Sequence, residues 1–284
     1  MTIHTQHKGQ TTAKDSGPTR RWFRKAYLLP AEHGSWSWLL VPYLVGVAVA
    51  PQWSFASLLV LIGGLSVFLI RQPATAWLRI KQGRGRRSDE PVTLAWSALF
   101  LGLATVSFIV LLMMQRLVLV WLLPPVSALL MVYVAVARIN RARVRSMWME
   151  IAGAAGLAVM APAAYAAGSG RLDTSAWLLW FLMAMQNILG VFYVRLRIAD
   201  RHSRPESRMP VLLSHALGLL LVALALAVTS APLPALLPFA FFLGRACWLA
   251  ANRRPVENIK RFGFMEVGVE LAAGIWLILS FLLF

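Results

Sequence analysis

Of the 28 Lys and Arg residues in this chain, 26 fall in every second gap between its hydrophobic segments, and only Arg116 and Arg171 occupy the gaps between. Lys8, Lys14, Arg20, Arg21, Arg24 and Lys25 precede the first segment. Arg71, Arg79, Lys81, Arg84, Arg86 and Arg87 follow the second, and Arg138, Arg141, Arg143 and Arg145 follow the fourth. Arg195, Arg197, Arg201, Arg204 and Arg208 come after the sixth, then Arg245, Arg253, Arg254, Lys260 and Arg261 around the gap before the last. Loops that stay in the cytoplasm keep an excess of Lys and Arg, so this alternation orients a membrane-spanning chain. It predicts a cytoplasmic N-terminus, an outer C-terminus and an odd number of crossings.

A spanning helix needs about 20 mostly apolar residues. Nine such segments are expected, over 33–50, 53–72, 91–114, 117–137, 146–168, 175–196, 209–230, 232–251 and 262–284. Ala50-Pro51-Gln52, Gly168-Ser169-Gly170 and Ala231-Pro232 punctuate the short outer connections. The fold class is therefore all-α: a polytopic membrane bundle of nine transmembrane helices over 27–284, behind a disordered basic tail at 1–26. That tail has no apolar h-region and does not read as a cleavable signal peptide. Its His4 and His7 are expected in solvent.

The chain is 59% hydrophobic and 14% charged, too apolar for one water-soluble core. The net charge of +17 would suit a nucleic-acid binder. Its cations, however, are short clusters between apolar runs, already explained by topology, so no nucleic-acid partner is expected. Cys247 is the lone cysteine, which excludes an intrachain disulfide and a cysteine metal cluster. The RGRR run from Arg84 to Arg87 is a basic loop that anionic headgroups would attract. Trp36, Trp38, Trp53, Trp77, Trp148 and Trp177 lie near span ends, as interfacial anchors do.

Ionisable residues within spans are costly and point to function. Glu32 and His33 open the first span, Arg71 and Gln72 close the second, and Glu150 opens the fifth. Tyr193, Arg195 and Arg197 close the sixth, with Asp200 just beyond. His215 lies one turn into the seventh, Arg245 in the last third of the eighth, and Glu266 and Glu270 in the first turns of the ninth. All fall toward the cytoplasmic end, so seven helices contribute to one polar layer, as around a cavity open to that side. Gln186, Gly190, Tyr193, Arg197 and Asp200 recur at helical spacing and share a face, with Asn187 and Arg195 on the next stripe. Glu266 and Glu270, four apart, stack on one face. The layer's four cations (Arg71, Arg195, Arg197, Arg245) and four anions (Glu32, Glu150, Glu266, Glu270) also suit a network that only satisfies itself.

Leu28-Leu29-Pro30-Ala31-Glu32-His33-Gly34-Ser35-Trp36, running on to Val41-Pro42-Tyr43-Leu44-Val45-Gly46, resembles the opening of the YwiC-like family of bacterial membrane proteins. A wider similarity is to UbiA-type prenyltransferases, in three stretches: Pro42 to Gly46; Glu150 through Gly156 to Tyr165 and Gly168; and Tyr193 to Arg201 followed by Leu213 to Gly218. That resemblance implies a UbiA-like nine-helix fold with a cavity on the cytoplasmic side. Those enzymes hold Mg²⁺ and a prenyl diphosphate on two Asp-rich clusters. Here the first place reads Ile70-Arg71-Gln72-Pro73, and only Asp200 stands in the second, beside Arg195, Arg197 and Arg201. An arginine-rich site repels Mg²⁺ and instead holds a phosphate or carboxylate directly, so neither a metal nor another cofactor is expected.

The leading expectation is an inner-membrane protein binding an amphiphile with an anionic or polar head: a lipid, isoprenoid or quinone-like molecule. Its substrate-binding residues would be Glu32, Arg71, Gln72, Glu150, Gln186, Asn187, Tyr193, Arg195, Arg197, Asp200, Arg245, Glu266 and Glu270. If it transforms the ligand as a transferase without the Mg-binding clusters, His33 or His215 is the candidate proton carrier. Two other classes fit the same residues: a transporter with Glu266, Glu270 and His215 as a proton or cation relay, and an assembly subunit of a membrane complex.

Overall fold

The computed structural model describes residue 22 and residues 34–139, 146–204, 206–252 and 256–284. The tail apart from Trp22, Glu32, His33, Arg141, Arg143, Arg145, Arg253 and Arg254 lie outside the described residues. Among the described residues the chain is a bundle of nine helical crossings without strands. Eight are long and apolar enough to cross a membrane, and the first, α1 (Gly34–Val49), is a shorter apolar helix. The second and third crossings are α2 (Phe55–Lys81) and α3 (Glu90–Met113). The fourth opens as a 3-10 turn, Leu117–Leu122, and continues as α4 (Leu123–Ile139). The fifth is split into α5 (Met147–Leu157) and α6 (Met160–Ser169). Then follow α7 (Thr174–Arg201), α8 (Met209–Thr229), α9 (Leu237–Ala251) and α10 (Ile259–Leu283).

Two helices run further than the hydropathy indicated. α2 continues past Arg71 and Pro73 to Lys81, so Arg71 lies well inside a helix and not at its end. Charged residues do not stop a helix; they only stop it from being buried in lipid. The last turns of α2 are amphipathic, and Lys81 pairs with Glu90 at the start of α3. α7 likewise reaches Arg201. The split in the fifth crossing has its cause in Pro162, which lacks an N–H for the Ala158 carbonyl. Pro162 falls in the first turn of α6, where proline is tolerated because that N–H has no helical partner anyway.

Small residues bring backbones together. A Cβ on Gly46 of α1 would overlap the Ala161 carbonyl oxygen of α6, and one on Gly274 of α10 would meet Val41 Cγ1 at 2.5 Å. α1 is therefore seated between α6 and α10 at near-backbone distance, as small residues permit in lipid. Pro42-x-x-x-Gly46 does packing work here. On the face opposite the basic loops, turns close with left-handed residues, Gln115 (φ 61), Gly170 (φ 73) and Ser230 (φ 51). Asp173 caps α7 there by accepting from the Ala176 N–H at 3.1 Å.

Candidate functional site

The polar residues of α7 to α10 come together at the basic half of the bundle. Arg245 of α9 donates through Nη2 to both Glu266 oxygens, at 2.9 and 2.7 Å. Its guanidinium carbon stands 4.0 Å from the centre of the Tyr193 ring on α7, so charge pairing and a cation–π contact act on one group. Both side chains are largely buried (17% and 11% exposed). A buried charge is tolerated only when paired and hydrogen-bonded, and this pair meets both conditions.

Glu270, one turn on along α10, has different company. Its Oε1 accepts from Trp38 Nε1 of α1 at 2.7 Å, and Gln186 Nε2 donates to its backbone carbonyl at 3.1 Å. A Cβ on Gly190 would lie 3.4 Å from Glu270 Oε1, so the glycine leaves the carboxylate its space. Gln186, Gly190 and Tyr193 thus form the stripe their spacing predicted, against Glu266 and Glu270. Asn187 Nδ2 donates to the Trp38 carbonyl at 3.1 Å and the Ala154 carbonyl at 3.0 Å, tying α7 to α1 and α5. His215 Nδ1 bonds the Val211 carbonyl of its own helix at 2.8 Å. His215 also borders the small cavity, about 20 Å³, that lies among these residues.

Three other expected residues turn elsewhere. Arg195 pairs with Glu150 at 2.7 Å in a half-exposed bridge from α7 to α5. Asp200 accepts from Arg208 at 2.7 and 3.2 Å, and Arg208 also reaches the Leu249 carbonyl at 3.3 Å. Arg197 lies over the Phe262 ring at 5.6 Å. The layer is therefore not one open cavity. Among the described residues, Arg195 and Arg245 are drawn into separate pairs between helices, and Glu32 and His33 lie outside the described residues. Among those residues, no group of three or more His, Cys, Asp or Glu side chains is placed to hold a metal.

The larger space lies among α2, α3, α4, α5 and α6. It is a chamber of about 450 Å³ walled mostly by Leu, Val, Phe and Met side chains and by glycine backbone, within the size range of small-molecule sites. Among the described residues, Arg71 is the single charged one in that wall. Its guanidinium lies over Tyr133 of α4 at 5.2 Å and over Phe68 at 5.6 Å. Its Nε is buried without a hydrogen-bond partner. Gln72, expected beside it at the site, is half-buried and not in the wall; Thr75 donates to the Arg71 and Gln72 carbonyls at 2.8 and 3.0 Å. Gly63, Gly64, Gly153 and Gly156 line the chamber, and a Cβ on Gly64 or Gly156 would overlap Met160 or Leu129.

Sequence reasoning missed three participants. Trp38 read as an interfacial anchor, yet its indole N–H serves Glu270. Tyr133 was one aromatic in an apolar run. Arg208 counted as loop charge although it clamps Asp200 eight residues earlier, a spacing that an i, i+4 search does not reach.

Residues 29–165 match the family model described as YwiC-like protein. A protein of Bacillus subtilis (strain 168) named Uncharacterized protein YwiC is 26% identical over 179 residues, 62% of this chain and 70% of that protein. No solved structure matches the chain.

Proposed function

From the premise that residues 29–165 are YwiC-like, we propose that this membrane protein binds an amphiphile with an anionic head in the chamber between α2 and α6. The head is held by Arg71 and the apolar tail lies along the glycine-lined wall. The observation that carries this reading is Arg71 itself. A guanidinium in an apolar wall, stacked on two aromatic rings and with no carboxylate on it among the described residues, is an expensive arrangement for packing alone. It is a sensible one for holding a carboxylate or phosphate. Every residue lining the chamber, from Leu39 to Ala163, falls inside the YwiC-like stretch.

The chamber replaces the broader layer as the binding site. Arg195 is engaged by Glu150, and Arg245 by Glu266. The same reading sets the basic face toward the cytoplasm of a bacterial inner membrane, supported by the positive-inside rule. The head then lies near that side, where Arg71 is still ten residues from the end of α2. Mass spectrometry of lipid extracted from gently purified protein tests the proposal. Arg71→Ala is expected to lose an anionic species that the wild type retains, and Arg71→Lys to retain it in part. Identical extracts from all three proteins contradict it.

A further inference from the structure

Among the described residues, two hydrogen-bond acceptors in the α7–α10 cluster have no donor. Gln186 Oε1 and Glu270 Oε2 are both buried without a partner, in residues only 2% and 8% exposed. Turning the Gln186 amide over does not cure this. The Glu270 backbone carbonyl can only accept, so Nε2 must face it and Oε1 must face away. The donors nearby are already engaged: the Trp38 indole on Glu270 Oε1, the Ser37 hydroxyl, which also lies beside the Glu270 carboxylate, on the Gly34 carbonyl at 2.8 Å, and Arg245 on Glu266. His215 has its Nδ1 on Val211, and Arg197 adds positive charge on the Glu266 side. Among the described residues no cation forms an ion pair with Glu270, and Arg245 acts on it only from a distance.

The adjacent cavity measures about 20 Å³, and one water needs about 10–15 Å³ and two or more polar partners. One water satisfies both atoms: it donates to Gln186 Oε1, and it donates to Glu270 Oε2 when that carboxylate is ionised or accepts from it when that oxygen carries a proton. A water does not remove the charge. Arg245 neutralises Glu266, which leaves Glu270 as a lone carboxylate inside a membrane-spanning helix, a costly state.

We propose that Glu270 is a proton-binding site: it carries one proton at neutral pH and is linked to Gln186 through a single water in this cavity. The proton sits where α1, α7 and α10 meet, so its release would charge the contact that Trp38 makes from α1.

Infrared spectroscopy of the protein in lipid at neutral pH tests this directly. The wild type is expected to show the carbonyl stretch of one protonated, hydrogen-bonded carboxyl group, and Glu270→Gln to lose it. Gln186→Leu and Trp38→Phe are each expected to shift the band to higher frequency, and they keep the test open if Glu270→Gln does not fold. No protonated-carboxyl band in the wild type overturns the proposal. So does a band that survives Glu270→Gln, or one that neither Gln186→Leu nor Trp38→Phe moves.

Discussion

Arg245 and Glu266 join α9 to α10 through one nitrogen that donates to both carboxylate oxygens, at 2.9 and 2.7 Å. Removing one partner of a buried pair leaves the other charge without compensation, at about 3–5 kcal/mol. Glu266→Gln and Arg245→Met are each expected to lower stability by that order. The double variant Arg245→Met/Glu266→Leu is expected to recover most of the loss, because no charge is then stranded. Unfolding of the three variants in detergent measures this, and additive losses in the double variant contradict it.

The two ion pairs at the edge of the basic face should differ. Asp200 and Arg208 are each 13% exposed and joined twice, so Asp200→Asn is expected to cost about 1.5–3 kcal/mol, the range for hydrogen bonds to charged groups. Glu150 and Arg195 are 34% and 40% exposed. Their pair is worth about 0–1 kcal/mol by the behaviour of exposed ion pairs, and Glu150→Gln should scarcely change the melting temperature. A larger effect from Glu150→Gln than from Asp200→Asn would reverse this ranking.

The crossings were legible in the sequence because spanning lipid demands a long apolar run, and such runs are conspicuous between loops rich in Arg. The ends of α2 and α7 were not, because hydropathy measures lipid contact and says nothing of where hydrogen bonding stops. Within the site, Gln186, Gly190 and Tyr193 were found by helical period alone. The chamber was invisible. Leu59, Val126 and Leu129 in its wall look no different in sequence from leucines and valines facing lipid, and only tertiary geometry separates them. Arg71 stood out by its charge, but its place in an apolar wall depends on Tyr133 from α4.

The glycines fall into two groups with opposite expectations. A Cβ on Gly46 would collide with backbone at Ala161, whereas one on Gly102 or Gly244 would meet nothing within 4 Å. Gly46→Ala is expected to cost about 1–3 kcal/mol, as overpacking does. Gly102→Ala and Gly244→Ala should be neutral or slightly stabilising through helix propensity. Thermal denaturation of the purified variants distinguishes the two groups.

The proposed orientation rests on the charge alternation and is open to chemical labelling. In a Cys247→Ala background, Gln52→Cys and Thr174→Cys are expected to react with a membrane-impermeant maleimide applied to intact cells whose periplasm is accessible. Arg86→Cys and Arg204→Cys should react only after the inner membrane is opened. The reverse pattern would invert the protein.

Photolabelling by a long-chain carboxylate carrying a photoreactive group in its tail, followed by peptide mapping, tests most directly whether the chamber between α2 and α6 holds an anionic amphiphile. Adducts are expected on the chamber-lining segments around Phe108, Leu129 and Met160, reduced by Arg71→Ala and blocked by Gly63→Phe, which would fill the space. Label spread evenly over lipid-facing residues, unchanged by either substitution, would contradict the account.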